Sequence, residues 1–174
     1  MTDHTTHDGH GAHSSDSHAE EVAKIAKLVK EFRFGMLTTI EASGSLVAHP
    51  LTIQEAEFDG DLWFLIQNDS TTVRNLTGDP RAGVALSSND SWVSLSGTAG
   101  IVDAPEKLRE LWNPAAEAWF PNGPEDPNVG VLKFTATGGQ YWDTPGGRIA
   151  TAFSFLKSKV SGEPMDGDSS QVDL

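Results

Sequence analysis

Between Gly35 and Thr144 the apolar residues come in short runs, each closed by turn formers. The runs are GMLTTI (Gly35 to Ile40), LVAHPLTI (Leu46 to Ile53), LWFLIQ (Leu62 to Gln67), RAGVALSS (Arg81 to Ser88), SWVSLSGTAGIVD (Ser91 to Asp103) and VGVLKFTATGGQYWDT (Val129 to Thr144). Their lengths and β-branched or aromatic content are those of strands. Asp59-Gly60 and Asn89-Asp90 are tight-turn signals, and Pro50 marks a bulge or an edge, because proline cannot donate to a ladder. Gly97 and Gly100 allow the long fifth run to bend, and Gly138-Gly139 marks a break that leaves the sixth run either one strand or a hairpin. Strict βαβ alternation is absent. The pattern predicts a closed or nearly closed antiparallel barrel.

Helical segments surround these runs. Ala19 to Phe32 is amphipathic, with Val22, Ile25, Val29 and Phe32 on one face, and Ser17 with Glu20 reads as a capping box. Lys24, Lys27, Lys30 and Arg33 recur on another face, as a solvated charged surface does. Thr71 to Thr77 is a short helix stopped by Gly78-Asp79-Pro80. Asp103 with Glu106 starts another, and Pro114 opens a further helical turn to about Trp119. Ala150 to Val160 fits a strand or a helix. The ends differ from the middle. Residues 1–18 hold five of the six histidines (His4, His7, His10, His13, His18) among Thr, Asp, Ser and Gly, and read as a disordered tail able at most to chelate a metal weakly. Residues 161–174 read as a flexible acidic tail. The folded domain is expected over residues 19–160.

Composition excludes several functions. There is no cysteine, which rules out a disulfide scaffold, a thiolate zinc site and a cysteine nucleophile. A net charge of −13 opposes binding to phosphate backbones and to anionic lipid, so neither nucleic acid nor membrane is an expected partner. No signal-peptide pattern and no long apolar stretch is visible, and a cytoplasmic protein is expected. Neither a Gly-rich dinucleotide fingerprint nor a phosphate loop nor a GxSxG elbow occurs. In the folded region His49 stands alone, too few histidines for a zinc or non-haem iron site, so no metal is expected there. An organic cofactor is the more economical source of any chemistry.

Two features could hold one. Ser70, Thr71 and Thr72 open a short helix, with Arg74 close behind, and a helix N-terminus accepts phosphate. The simpler reading is ordinary helix capping. All five tryptophans lie between Trp63 and Trp142, and LWNPAAEAWFP sets Trp112, Trp119 and Phe120 beside a Pro/Gly loop. Such aromatics can stack on a planar ligand, anchor a subunit interface, or simply fill a core.

The segments AHPLTIQ, DGDLWFLIQNDSTTVRNLTGDPRAGVAL, SWVSLSGTAGIVD, ELWNPAAEAWFPNGPEDP and QYWD, in that order, resemble the general stress protein 26 branch of the pyridoxamine 5′-phosphate oxidase-like, FMN-binding split-barrel proteins. The resemblance implies a mainly β (α+β) fold: a six-stranded antiparallel split β-barrel with short flanking helices, forming a homodimer with FMN in a groove at the subunit interface. By position it assigns His49, Pro50, Leu51, Thr52 and Gln54 to a flavin-lining strand and Phe64 and Leu65 to the next. Ser70, Thr71 and Thr72 match a phosphate-binding S-x-K element, with Thr72 at the lysine and His49 where an arginine is usual. Trp92 matches a strand position that approaches the ring, and Trp112 and Trp119 close the pocket. The Arg-x-His pattern of true pyridoxamine phosphate oxidases has no counterpart near Arg148, so that reaction is not expected. The implied function is an FMN-dependent oxidoreductase acting on a small-molecule redox partner. The alternatives are a flavin-binding stress module without turnover, or the same groove holding a deazaflavin or haem.

Overall fold

A computed structural model describes residues 12–54, 58–143 and 168–173. The short apolar runs form strands β1 (Phe34–Ile40), β2 (Leu46–Thr52), β3 (Asp61–Gln67), β4 (Arg81–Ser87), β5 (Ser91–Val102) and β6 (Val129–Asp143). Helices α1 (Ala12–Val29), α2 (Thr71–Gly78), α3 (Pro105–Leu111) and α4 (Pro114–Trp119) flank them. Every paired neighbour is antiparallel, and the spatial order is β2-β1-β4-β5-β6-β3. Directions alternate along that path, so β2 and β3, at its two ends, run opposite ways. The sheet curls until these ends meet just beyond β2, where the Gln54 backbone N–H donates to the Trp63 carbonyl at 3.1 Å. The result is the expected mainly β architecture, a curled half-barrel of six antiparallel strands with short helices.

Period-two alternation fills the concave side. Leu37 of β1, Phe64 of β3, Val84 and Leu86 of β4, Val93 and Leu95 of β5, and Leu132 and Phe134 of β6 are all buried there. Thr39 joins them, its hydroxyl accepting from Asn75 Nδ2 at 3.1 Å. Helix α1 delivers Ile25, Leu28 and Val29 to this core, and Phe32 follows from the turn after it. Lys24 departs from the solvated face expected of it, for its ammonium lies 4.6 Å from the centre of the Tyr141 ring. A second cluster, Leu65, Leu108, Leu111, Ala116, Val129 and Val131, ties α3 and α4 to the outside of β3 and β6. Strand β3 is therefore covered on both faces, which is why LWFLI is apolar without alternation.

Four expectations are corrected. Helix α1 begins at Ala12, not Ala19, so the tail does not extend to residue 18 and Ser17 and Glu20 sit inside the helix instead of capping it. No Gly or Pro interrupts the chain from Ala12 to Val29, and its Ala, Glu and Lys content favours continuation. The N-cap of α3 is Ala104, with no side-chain cap, in place of Asp103. Gly138 and Gly139 do not break β6, because they pair on both sides, with Ser96 and Leu95 of β5 and with Asp173 and Val172. Those last partners belong to β7 (Asp168–Asp173), a strand inside the segment expected to be a flexible tail. The reason is an open edge. Strand β3 covers β6 only from Val129 to Thr135, and β7 takes the backbone groups from Gly138 to Asp143. Residues 1–11, 55–57 and 144–167, with Ala150 to Val160 and Arg148, lie outside the described residues. Among those described, no helix is long and apolar enough to cross a membrane.

Strands β5 and β6 slip register between Ser96 and Gly97, leaving Thr137 as the extra residue, a bulge of the kind that bends a strand. A Cβ on Gly97 would collide with the Thr135 carbonyl, whereas one on Gly100 would meet nothing within 4 Å. Gly97→Ala should therefore cost about 1–3 kcal/mol, lowering the melting temperature by roughly 3–8 °C. Gly100→Ala should leave it within about 2 °C. Equal melting temperatures for the two variants would show that the bulge does not require glycine.

Candidate functional site

The curl that brings β2 to β3 leaves a groove of about 520 Å³ between them. Strand β2 and the residues after it supply His49, Pro50, Leu51, Thr52 and Gln54, and β3 supplies Leu65, Ile66 and Gln67. Ser70 and Thr72 enter from the start of α2, and Ala115, Ala116, Trp119 and Phe120 from α4 and its exit. Phe34 of β1 completes the wall.

Nine of the residues singled out by sequence thus converge: His49, Pro50, Leu51, Thr52, Gln54, Leu65, Ser70, Thr72 and Trp119. Four do not line the groove. Phe64 alternates to the concave side of β3 and is wholly buried in the barrel core. The Thr71 hydroxyl accepts from Arg74 Nη2 at 2.8 Å on the exposed side of α2. Trp92 stands on the outer face of β5, in register with Trp142 of β6. Trp112 packs on the α3–α4 cluster, its ring centre 6.2 Å from that of Phe120. Phe120, one of the aromatics beside the Pro/Gly loop, also lines the groove, whereas Phe34, Ile66, Gln67, Ala115 and Ala116 carry no signal of their own that singles them out. Phe34 is reached only through strand pairing, since β1 with β2 sets it opposite Thr52. The two alanines carry no chemical signal.

The start of α2 is firmly built. Ser70 is its N-cap, the hydroxyl accepting from the Val73 N–H at 3.3 Å. Arg74 folds back on the same turn, donating also to the Asp69 carbonyl at 2.6 Å, so it braces the helix and does not line the groove. Asn68 and Asp69 are tied to the loop before β6. Asn68 Nδ2 donates to the Pro127 carbonyl at 3.0 Å, and Asn128 Nδ2 to Asp69 Oδ1 at 3.1 Å. That loop is ordered in turn by Asp126, whose carboxylate accepts from Asn122 and from the Asn128 backbone N–H, bonds that hold it below the usual carboxylate range. Thr72 is buried in the wall.

At the other end, Asn113 joins helix to strand. Its Oδ1 caps α4 by accepting from the Ala115 and Ala116 N–H groups at 2.9 and 3.0 Å. Its Nδ2 donates to Gln54 Oε1 at 2.8 Å. The Gln54 amide, itself buried, donates to the Thr52 carbonyl at 3.3 Å. Among the described residues the lining is otherwise mainly apolar, with Thr52, Gln67, Ser70 and Thr72 as its further uncharged polar groups, and it carries no Lys, Arg, Asp or Glu. Its one ionisable side chain, among the described residues, is His49, whose Nδ1 is buried without a hydrogen-bond partner. Among the described residues no cluster of His, Asp and Glu could hold a metal.

The family model described as pyridoxamine 5′-phosphate oxidase like matches residues 20–166. The chain belongs to that family. A candidate general stress protein 26 of Jannaschia sp. CCS1 superposes with a TM-score of 0.75 at 27% identity, over 90% of this chain and 99% of that one. A general stress FMN/FAD binding protein of Xanthomonas citri does so with a TM-score of 0.63 at 30% identity, over 72% of this chain and 89% of that one. Protein bli-3 of Neurospora crassa is 28% identical over 144 residues, which is 76% of this chain and 69% of that protein. In this member of the family the segment WNPAAEAWF, spanning Trp112 to Phe120, builds one wall of the groove through Asn113 and α4.

Asn113→Ala removes two cap bonds and the tie to Gln54. It should cost about 1–2 kcal/mol by thermal denaturation, while Asn113→Ser, which keeps a cap, should recover most of that. If both variants melted with the wild type, α4 would be held by its apolar face alone.

Proposed function

We propose that the chain is an FMN-binding flavoprotein, a cytoplasmic homodimer that acts as a small-molecule oxidoreductase. The observation that carries this reading is the shape and chemistry of the groove. It is a mainly apolar slot with the Gln54 amide at one end and the N-terminus of α2, flanked by Gln67 and the Ser70 and Thr72 hydroxyls, at the other. A planar heteroaromatic ring with a phosphorylated arm fits that division, and the orphaned Nδ1 of His49 is a polar atom awaiting a ligand. The Xanthomonas relative, named for FMN/FAD binding, supports the same assignment.

The roles follow from the chain's own groups. Leu51, Leu65, Ile66 and Phe120 exclude water from the ring. Gln54, fixed by Asn113, offers an oriented amide. The free N–H groups at the start of α2 receive the phosphate. Ser70 Oγ accepts from Val73, which leaves its proton for the ligand. When bound, the flavin supplies the hydride and electron chemistry.

The partner is a second copy. Met36, Trp92 and Trp142 stand exposed on the outer face of the sheet, and Phe34 is exposed at the groove wall, at the end of the strand that carries Met36, each between 41% and 54% accessible. Met36 pairs with Pro50 and Ala85, so the patch runs up to the rim of the groove, where Trp119 is 71% exposed. Light scattering at micromolar concentration should give about twice the chain mass, and Trp92→Glu should shift it toward one. A monomeric wild type would remove the second copy from the account.

Purified protein should absorb near 450 nm as a rough guide, and bleaching by NAD(P)H would favour an enzyme over a carrier. Titrating apoprotein, Thr72→Lys should tighten FMN about fivefold through one added charge-assisted contact, an effect that shrinks with salt. Ser70→Ala should weaken FMN by a similar factor, and riboflavin should respond to neither change. If FMN and riboflavin respond alike, the phosphate does not sit at α2.

A further inference from the structure

In a chain of net charge −13, a base without a carboxylate partner is the exception. Among the described residues Arg81, Lys107, Arg109 and Lys133 are paired with Asp79, Glu110, Glu125 and Asp61. Arg74 is turned onto its own helix, and Lys24 lies over the Tyr141 ring. Lys30 and Arg33, from the end of α1 and the turn after it, have no carboxylate among the described residues. Both line a second cavity, of about 540 Å³, which shares Thr52 and Ala115 with the groove.

The walls of this cavity are fixed by bonds between three elements. The turn is held by the Glu31 and Phe32 N–H groups, which donate to the Leu28 and Val29 carbonyls at 2.9 and 3.2 Å. Phe32 is buried in the barrel core. The Ile53 N–H donates to the Arg33 carbonyl at 3.0 Å and so ties the turn to the residue after β2. Asn113, on the third side, is bonded to Gln54 and to the first turn of α4. The Arg33 guanidinium lies 5.5 Å from the centre of the Phe34 ring, and Phe34 lines the groove. Arg33 therefore stands where the two cavities adjoin.

The chemistry of the two cavities differs. The groove carries no base among the described residues, whereas Lys30 and Arg33 outnumber Glu31 in the second cavity. Ile53, Pro114 and Ala115 add apolar surface to it. A guanidinium offers paired N–H donors that match the two oxygens of a carboxylate, and an ammonium adds a point charge. The volume lies within the range of small-molecule sites.

We propose that this cavity binds a small organic carboxylate, with its charge on Lys30 and Arg33 and its apolar body against Ile53, Pro114 and Ala115. On the flavin reading above, on which this part alone rests, a carboxylic acid is the class of redox partner on which the protein acts.

The test uses the protein as purified, labelled with nitrogen-15, and follows amide shifts at constant ionic strength. It is titrated with sodium benzoate and sodium hexanoate, and with uncharged benzamide and hexanamide. A carboxylate should shift the Ile53 and Ala115 amides saturably, and its amide should bind at least about tenfold more weakly. Lys30→Gln and Arg33→Gln should each weaken it about fivefold. Glu31→Gln, which removes the opposing charge, should tighten it about twofold, and Lys27→Gln, outside the cavity, should change nothing. All four side chains are exposed, so the fold is retained. Equal binding of acid and amide, no binding of either acid, tighter binding of inorganic phosphate, or shifts confined to the start of α2 would each overturn the site. The visible spectrum of the same sample reports the flavin separately. Flavin without carboxylate binding would overturn the site and leave the flavin reading standing. Carboxylate binding without flavin would leave the site and overturn its redox role.

Discussion

The backbone hydrogen bond from Gln54 to Trp63 joins the two ends of a sheet that would otherwise lie open. Strands β2 and β3 are the termini of the strand path and have no ladder between them, so their facing edges are where the barrel is split. A register slip at Gly97, where only a residue without a Cβ tolerates the approach of the Thr135 carbonyl, adds the local bend that a bulge brings to a strand. The groove is what remains beside the junction. Helix α2 reaches it because β3 feeds directly into Ser70, and α4 because Asn113 is bonded to Gln54.

Among the described residues, charge is arranged around the groove, not within it. The protein carries −13 overall, and its ion pairs, such as Lys133 with Asp61 at 2.6 Å and Arg109 with Glu125 at 3.2 Å, lie outside the groove. Lys107 and Lys133 are engaged with the Trp63 ring at 5.1 and 5.4 Å, on the outer side of β3. A mainly apolar lining makes each remaining polar group count for more, because few other polar groups compete with it for a ligand. The helix N-terminus, the hydroxyls of Ser70 and Thr72, the amides of Gln54 and Gln67 and one histidine are then sufficient to define an orientation for a ligand.

Much of this was legible along the chain. Turn formers at Asp59-Gly60 and Asn89-Asp90 delimit strands correctly because their backbone preferences are local. Pro50 lies on β2, an edge strand as its missing N–H requires. The errors have a common source in long-range pairing. Gly138-Gly139 looks like a break until β5 and β7 are laid on either side of it, and the acidic end of the chain looks unstructured until β6 offers it an unpaired edge. Phe64 and Leu65 are neighbours on a strand buried on both faces, where periodicity carries no information about which of them turns to the groove.

The sequence by itself determined the strand count of the half-barrel, the positions of its turns, the family to which the chain belongs and the cluster of residues from His49 to Thr72 that could hold a ligand. Those properties rest on local backbone preference and on the order of residues along the chain. Tertiary structure alone decided that Trp92 and Trp112 face away from the groove while Phe34 and Phe120 face into it, that Arg74 is spent on its own helix, and that His49 Nδ1 is left without a partner. Each of these depends on which surfaces the curled sheet brings within a few ångströms of one another. That distance is set by strand pairing between residues far apart in the chain, which no local pattern encodes.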